Sequence, residues 1–460
     1  MSTPRTLLSR IPAAVVVTAA AALLFAITMG LRSAFGLFVS PLNSATGLGI
    51  AAISFALAVS QLVGGAAHPA AGLLAERYGA IRVVALGGVL LAVATALIPH
   101  AGTTAELVLV LALGAAAGAA AGSNGILLGI VHRHVAESRR GLASGIVGAG
   151  GSAGQMVMAP AAQALLAVAG WVSALWALAL VALAIVPVAL GLAARSDRGA
   201  LPAPAPAAPK VRADLRGDLR AALTSPLYWG VTAAFFVCGF HVSFLLAHLP
   251  GVIELCGLPP RVAGAWLGIV GLCNIVGSVA VGFVIRHVAM TRTLTALYAA
   301  RAAGIALFVV APKSEAVLMA FAVWVGITYM ATLPPTVGLI GQAYGTGRLA
   351  SLFGITMFVH QIGSFLGVWL GGIAFEATGG YDALWWADVG LALVAAAICL
   401  AIREPAPIAA APVTVATAAP PGRWIGALGE LTAAAALRAR RSWRRLGPVR
   451  VTIPAAARVA

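Results

Sequence analysis

The sequence predicts an all-α polytopic membrane protein, twelve transmembrane helices in two pseudo-symmetric six-helix halves, and three observations predict it. The 460 residues are 61% hydrophobic and 9% charged, a composition suited to lipid rather than water. The apolar residues gather into runs of roughly 20, the length a helix needs to cross the hydrocarbon core. Landmarks of the first half recur in the second at a nearly constant offset: 241 − 32 = 209 for Arg32 and His241, 282 − 72 = 210 for Gly72 and Gly282, and 348 − 140 = 208 for Arg140 and Arg348. Such regularity across six spans is the mark of an internal duplication.

The first span, 12–39, follows Arg5 and Arg10 and starts as a signal peptide would. Its apolar run is too long and has no clear cleavage signal, so it reads as a retained helix. Within it, Gly30-Leu31-Arg32-Ser33 through Pro41 buries a guanidinium. Span two, 50–74, runs into the loop Gly72 to Arg82, and spans three and four follow at 81–99 and 105–131. Span five, 141–168, opens on Arg139-Arg140-Gly141 and is rich in glycine; span six is 171–193. Residues 194–226 hold the Pro/Ala run from Leu201 to Pro209 and then alternating charges from Arg212 to Arg220, the composition of a linker. Spans seven to twelve are expected at 227–249, 262–285, 293–311, 316–341, 350–374 and 383–402. The chain therefore divides into an N-terminal half 1–193, a cytoplasmic linker 194–226, a C-terminal half 227–404 and a basic tail 405–460.

Charge placement orients this array. Of the 29 Lys and Arg residues, the loops on one side of the predicted spans hold only Arg261 and Lys313, and the spans hold only Arg32 and Arg301. All the rest fall on the other side, with both termini, which makes that side cytoplasmic and the protein a multi-pass resident of the cytoplasmic membrane. The net charge of +16 thus faces the inner leaflet rather than nucleic acid. From Arg423 the tail mixes Trp424, Leu428 and Trp443 with Arg438, Arg440 and Arg444, which suits either an interfacial helix on anionic lipids or a solvated extension.

Several chemistries are excluded. The four cysteines have no C-x-x-C or His-paired spacing, so no metal or redox site is indicated. The only lysines, Lys210 and Lys313, each follow a proline, which rules out the Gly-Lys of a nucleotide-binding loop. No nucleophile triad is visible, no cofactor is called for, and the chain does not read as an enzyme. Work across the membrane must run on an ion or solute gradient.

Intramembrane ionisable groups mark function by default. Arg32 offers a fixed fork of donors that fits a carboxylate and does not lose its proton. At about nine residues from Pro41 and 1.5 Å rise each, it lies roughly 13 Å deep, too far to snorkel easily. His241, its counterpart in the second half, carries an imidazole, a side chain suited to hold a proton beside a substrate. His360-Gln361 in span eleven is a second candidate pair, and Asn124, Asn274 and Tyr329 are further candidates to line a polar path; each alone is more often glue between helices. Arg301 in span nine and Asp388 in span twelve are expected to form a structural ion pair, because buried charges need compensation.

Two motifs carry a family resemblance. Gly72-Leu73-Leu74-Ala75-Glu76-Arg77-Tyr78-Gly79-Ala80-Ile81-Arg82 resembles the G-x-x-x-[DE]-R-x-G-x-x-R loop of the major facilitator superfamily, with a worn copy from Gly282 through Arg286 to Arg292. The resemblance implies that Gly72, Glu76, Arg77, Gly79 and Arg82 latch one access state. Arg139-Arg140-Gly141-Leu142-Ala143-Ser144-Gly145, continuing through Gly150 and Gly154, is similar to the entry to span five in the monocarboxylate porter-like branch, which includes the oxalate-formate type. Eukaryotic members of that branch carry Lys-Ser where this chain has Arg32-Ser33. They also carry an Asp and an Arg four residues apart in span eight, where this chain has Asn274 and Ser278, so their proton-coupling pair is absent here.

Together the residues and the resemblance imply a secondary transporter that moves a small organic anion by alternating access, coupled to protons or to a counter-anion. Efflux of drugs or other amphiphiles is the competing expectation, and a transport-inactive sensor a more distant one.

Overall fold

The computed structural model describes residues 12–199 and 222–404, without the side chains of 194–199, 346 and 347. The expected tail 405–460 and most of the expected linker lie outside the described residues. All regular structure among the described residues is helical: α1 (Ala13–Ala34), α2 (Val39–Thr46), α3 (Ile50–Tyr78), α4 (Ala80–Leu97), α5 (Thr104–Ala121), α6 (Asn124–His132), α7 (Arg140–Leu183), α8 (Ile185–Gly199), α9 (Pro226–Leu255), α10 (Arg261–Val284), α11 (Met290–Val310), α12 (Glu315–Tyr329), α13 (Leu333–Tyr344), α14 (Thr346–Thr378) and α15 (Asp382–Ala401).

Eleven of the resulting segments are long and apolar enough to span a membrane, one fewer than the sequence predicts. The difference is Glu137–Ala193, a run of 57 residues that is about twice a span's length. It contains Gly170 at φ 78°, ψ 170°, outside helical geometry, a positive φ that costs glycine least. Past that break the chain packs back on α4 and α1, with Trp176 edge-on to His100 at 6.4 Å. Spans five and six are joined through one residue.

Local sequence sets the other breaks. Gly79 adopts φ 94° and alone separates α3 from α4, the tight turn expected of it. A 3-10 turn at Phe35–Phe38 bends span one into α2, and Gly122-Ser123 interrupts span four between α5 and α6. Span ten breaks at the 3-10 turn Met330–Thr332, just before Pro334 and Pro335, which have no N–H to continue the helical ladder. Thr103 and Glu106 close a capping box at the start of α5, satisfying donors that the helix cannot satisfy itself.

Small residues set the closest packing. α1 lies along α7, where Gly150 and Gly154 face the backbone of Ala22 and Ala26 so closely that a Cβ on either glycine would clash. This is the close approach that a small-x-x-x-small pair permits.

Helices of the first six spans meet those of the last six along two long seams and where Gly36 of span one lies on the Leu246–Ala247 backbone of α9. In one, α3 runs antiparallel to α14: Ala51 N donates to Glu376 Oε1 at 2.8 Å, Phe55 meets Trp369 edge-on at 5.6 Å, and Gln361 Nε2 donates to the Gln61 carbonyl at 3.1 Å. In the other, α7 runs against α10: Gly264 sits on Gln163 and Pro160, Gly271 on Met156 and Ser152, and Asn274 Nδ2 donates to Gln155 Oε1 at 3.4 Å. Both seams fade beyond these amides. Gly72, Gly145, Gly148 and Gly282 have open space where a Cβ would stand. The contacts across these seams gather toward the end bearing Gly49 and Glu376, the closed end; the end bearing Gly79 and Arg140 is termed the parted end.

Candidate functional site

A cavity of about 100 Å³ lies between α1, α3, α4 and α5, with Gln361 of α14 closing one side. Its apolar wall comes from residues such as Leu31, Phe35, Leu57 and Val110. Three of its hydroxyls are already committed to their own helices: Thr28 to the Leu24 carbonyl, Ser60 to that of Leu57 and Thr95 to that of Leu91. The polar groups left to meet a solute are Arg32, Gln61, His68 and Gln361. No Asp or Glu lines the cavity.

Arg32 is exposed, and the space it faces is this cavity. Its Nη2 donates to Gln61 Oε1, a neutral acceptor, so the positive charge has no carboxylate beside it. Gln61, Gly64 and His68 stand at i, i+3 and i+7 on α3 and therefore share one face of the helix. Gln61 and His68 were missed at the sequence level. Their signal was two polar residues seven apart within one apolar span.

The other predicted site residues do not converge on this cavity. His241 is buried at 2% exposure, and its Nδ1 donates to Asp388 Oδ2 at 2.7 Å, with Asp388 at 0%. That corrects the expected pairing of Arg301 with Asp388. Arg301 instead donates to the carbonyls of Thr328 and of Tyr329, the latter at 2.7 Å, and its guanidinium lies 5.5 Å from the Tyr298 ring centroid. The break in span ten explains the exchange, because it leaves helix-end carbonyls that a buried cation can cap, while α9 brings an imidazole to Asp388.

His360 is half-buried; its Nδ1 lies 3.1 Å from Gln361 Oε1 and its ring 4.7 Å from that of Phe235. It steadies Gln361, which does reach the cavity. Asn274 is buried in the α7–α10 seam, where its Oδ1 also accepts from Met330 N at 3.4 Å. Tyr329 borders a separate, smaller void with Trp266 and Val270, and Asn124 is exposed at the start of α6. In the loop after α3, Glu76, Arg77, Gly79 and Arg82 are exposed and Gly72 is half-buried. Arg77 rests on the Tyr78 ring at 5.3 Å, and among the described residues neither Glu76 nor Arg82 bonds a neighbouring helix end. No group of three or more metal-binding side chains occurs among the described residues.

Comparison with known proteins agrees with this architecture. The chain is 27% identical over 160 residues to YcxA, an uncharacterized MFS-type transporter of Bacillus subtilis (strain 168), a match spanning 34% of this chain and 38% of that relative's length. Among solved structures it superposes on a D-xylose-proton symporter with a TM-score of 0.64 at 14% identity, covering 85% of this chain and 97% of the other. It also superposes on a bacterial homologue of the human lysosomal transporter Spinster in an inward-facing, unoccupied conformation, with a TM-score of 0.63 at 16% identity over 85% and 94% of the two chains. The inward-open xylose transporter XylE of E. coli gives 0.64 at 14% identity over 85% and 96%. These likenesses establish the fold, and the sequence model of the Major Facilitator Superfamily matches residues 21–368: the chain belongs to that superfamily and is a multi-pass membrane transporter, not an enzyme.

Proposed function

We propose that this transporter carries a small, monocarboxylate-like organic anion, bound by Arg32, across the cytoplasmic membrane. The observation that carries the reading is a guanidinium open to a cavity of about 100 Å³ with a neutral amide as its side-chain partner and no carboxylate in the lining. In a low-dielectric site such a cation attracts an anion far more strongly than in water, and its planar fork fits a carboxylate bidentately. The resemblance of the span-five entry and of Arg32-Ser33 to the monocarboxylate porter-like branch points the same way.

Transport proceeds by rocking residues 1–193 against residues 227–404. Two features support alternating access: seams that hold one end only, and a loop from Gly72 to Arg82 that is unlatched at the parted end. With both termini cytoplasmic, as the arginine distribution favours, the parted end faces the cytoplasm. The driving gradient is protons or a counter-anion.

Uptake of labelled formate, lactate and pyruvate into proteoliposomes with an imposed pH gradient tests this reading. Accumulation is expected in the native protein and is expected to fall at least about 100-fold in Arg32→Ala, the loss of one charge-assisted bidentate contact. No uptake or exchange of any acid by the native protein would refute it. The apolar share of the cavity wall favours a second reading, efflux of amphiphiles. Export of a cationic dye that is intact in Arg32→Ala would establish that one instead.

A further inference from the structure

We propose that His68 is the proton-carrying group of this cavity, loading one proton with each anion that binds Arg32. The proposal rests on the anion-transport reading above and assigns its coupling. The two histidines singled out by sequence are poorly placed for the task. His241 is sealed against Asp388, and His360 is turned to Gln361 and Phe235. Among the residues lining the cavity, His68 alone carries an imidazole.

The charges around it give the coupling its sign. α1 presents Arg32 to the cavity; α4 presents Thr95, whose hydroxyl is bonded to the Leu91 carbonyl; α5 presents no titratable group; α14 presents Gln361. The ionisable neighbour across the cavity is therefore a permanent cation. Gln61, to which Arg32 is bonded, and His68 lie seven residues apart on one helix, about 10 Å at 1.5 Å per residue. At that separation and an effective dielectric constant of 20, two like charges disfavour each other roughly tenfold.

In the empty cavity burial disfavours a charged imidazole, and Arg32 adds to that cost. An anion on Arg32 cancels the repulsion, so His68 takes up a proton when the anion binds. By linkage, a proton on His68 must then tighten anion binding by the same factor. His68 also lies on the side of Gln61 nearer the parted end, within reach of the water that supplies the proton. One anion and one proton cross together, and no net charge moves.

The test compares native protein with His68→Gln in proteoliposomes, with labelled formate, lactate and pyruvate as probes. It reads exchange of labelled for unlabelled acid, accumulation driven by a pH gradient, and the half-saturation of exchange between about pH 5.5 and 7.5, a range in which an acid of pKa near 4 stays ionised. Native half-saturation is expected to rise roughly tenfold across this range. In His68→Gln exchange persists, its half-saturation no longer depends on pH, and gradient-driven accumulation is lost. His68→Lys, a fixed cation, is expected to exchange with a pH-independent half-saturation and without accumulation, and it serves if the glutamine variant fails to fold.

Accumulation at the native level in either variant overturns the proposal. So does loss of exchange in both variants with an unchanged melting temperature, which makes His68 an anion ligand only. If the native protein exchanges no acid, the anion reading itself fails and this assignment falls with it; that result is distinguishable because it appears before any variant is made.

Discussion

Arg32 and Arg301 carry the same guanidinium into the same membrane and meet opposite fates. Arg32 opens on a cavity and touches one amide, whereas Arg301 is 2% exposed and caps the broken end of α12. Removing the second leaves two buried carbonyls unsatisfied and a void where the side chain was. Arg301→Ala is therefore expected to lose about 2–4 kcal/mol of stability, seen as a lower melting temperature in detergent. Arg32→Ala is expected to melt with the native protein while transport is lost. Equal melting of Arg301→Ala and the native protein would contradict the capping role. The sequence leads to different expectations for the two, a solute for Arg32 and a structural partner for Arg301, but it names Asp388 as that partner; only the neighbours brought by other helices give Arg301 its carbonyls.

At the scale of elements, the glycines of span five divide by what they face. Gly154 lies on the Ala26 backbone, whereas Gly148 has open space around its missing Cβ. Gly154→Val must push α1 from α7 and is expected to cost about 1–3 kcal/mol, with reduced yield of folded protein. Gly148→Ala is expected to be neutral or slightly stabilising, because alanine suits a helix better than glycine. Thermal melting of the two variants checks the contrast; equal losses would mean that the close approach of α1 and α7 does not matter. The element boundaries were readable from apolar run length, and Gly79 from its place between two runs. The fused fifth and sixth spans were also separated in sequence, at residues 169–170, although backbone hydrogen bonding carries helix past that point.

For the whole molecule, the closed end is held by contacts such as Ser54 against Gly372, where a Cβ on the glycine would fall 2.5 Å from that of the serine. If rocking closes this end once in each cycle, a bulky side chain in place of Gly372 must hold α14 off α3 there, and Gly372→Val is expected to lose most transport while the protein still folds and melts cooperatively. Full transport by Gly372→Val would exclude rocking about these seams. The two amide contacts, Gln61 with Gln361 and Asn274 with Gln155, mark where the closed part of each seam ends.

The sequence by itself determined an all-helical membrane fold, because span length and hydrophobic run are local properties imposed by the thickness of a bilayer. It also marked Arg32, since a charge within an apolar run is conspicuous without any knowledge of its neighbours. Only the tertiary structure decided who meets whom: Asp388 with His241 rather than Arg301, His360 turned aside, and Gln61 and His68 brought to the cavity. Those choices depend on how helices rotate about their own axes when they pack. That rotation is set by close contacts of small residues between segments distant in the chain, and no run of apolar residues records it.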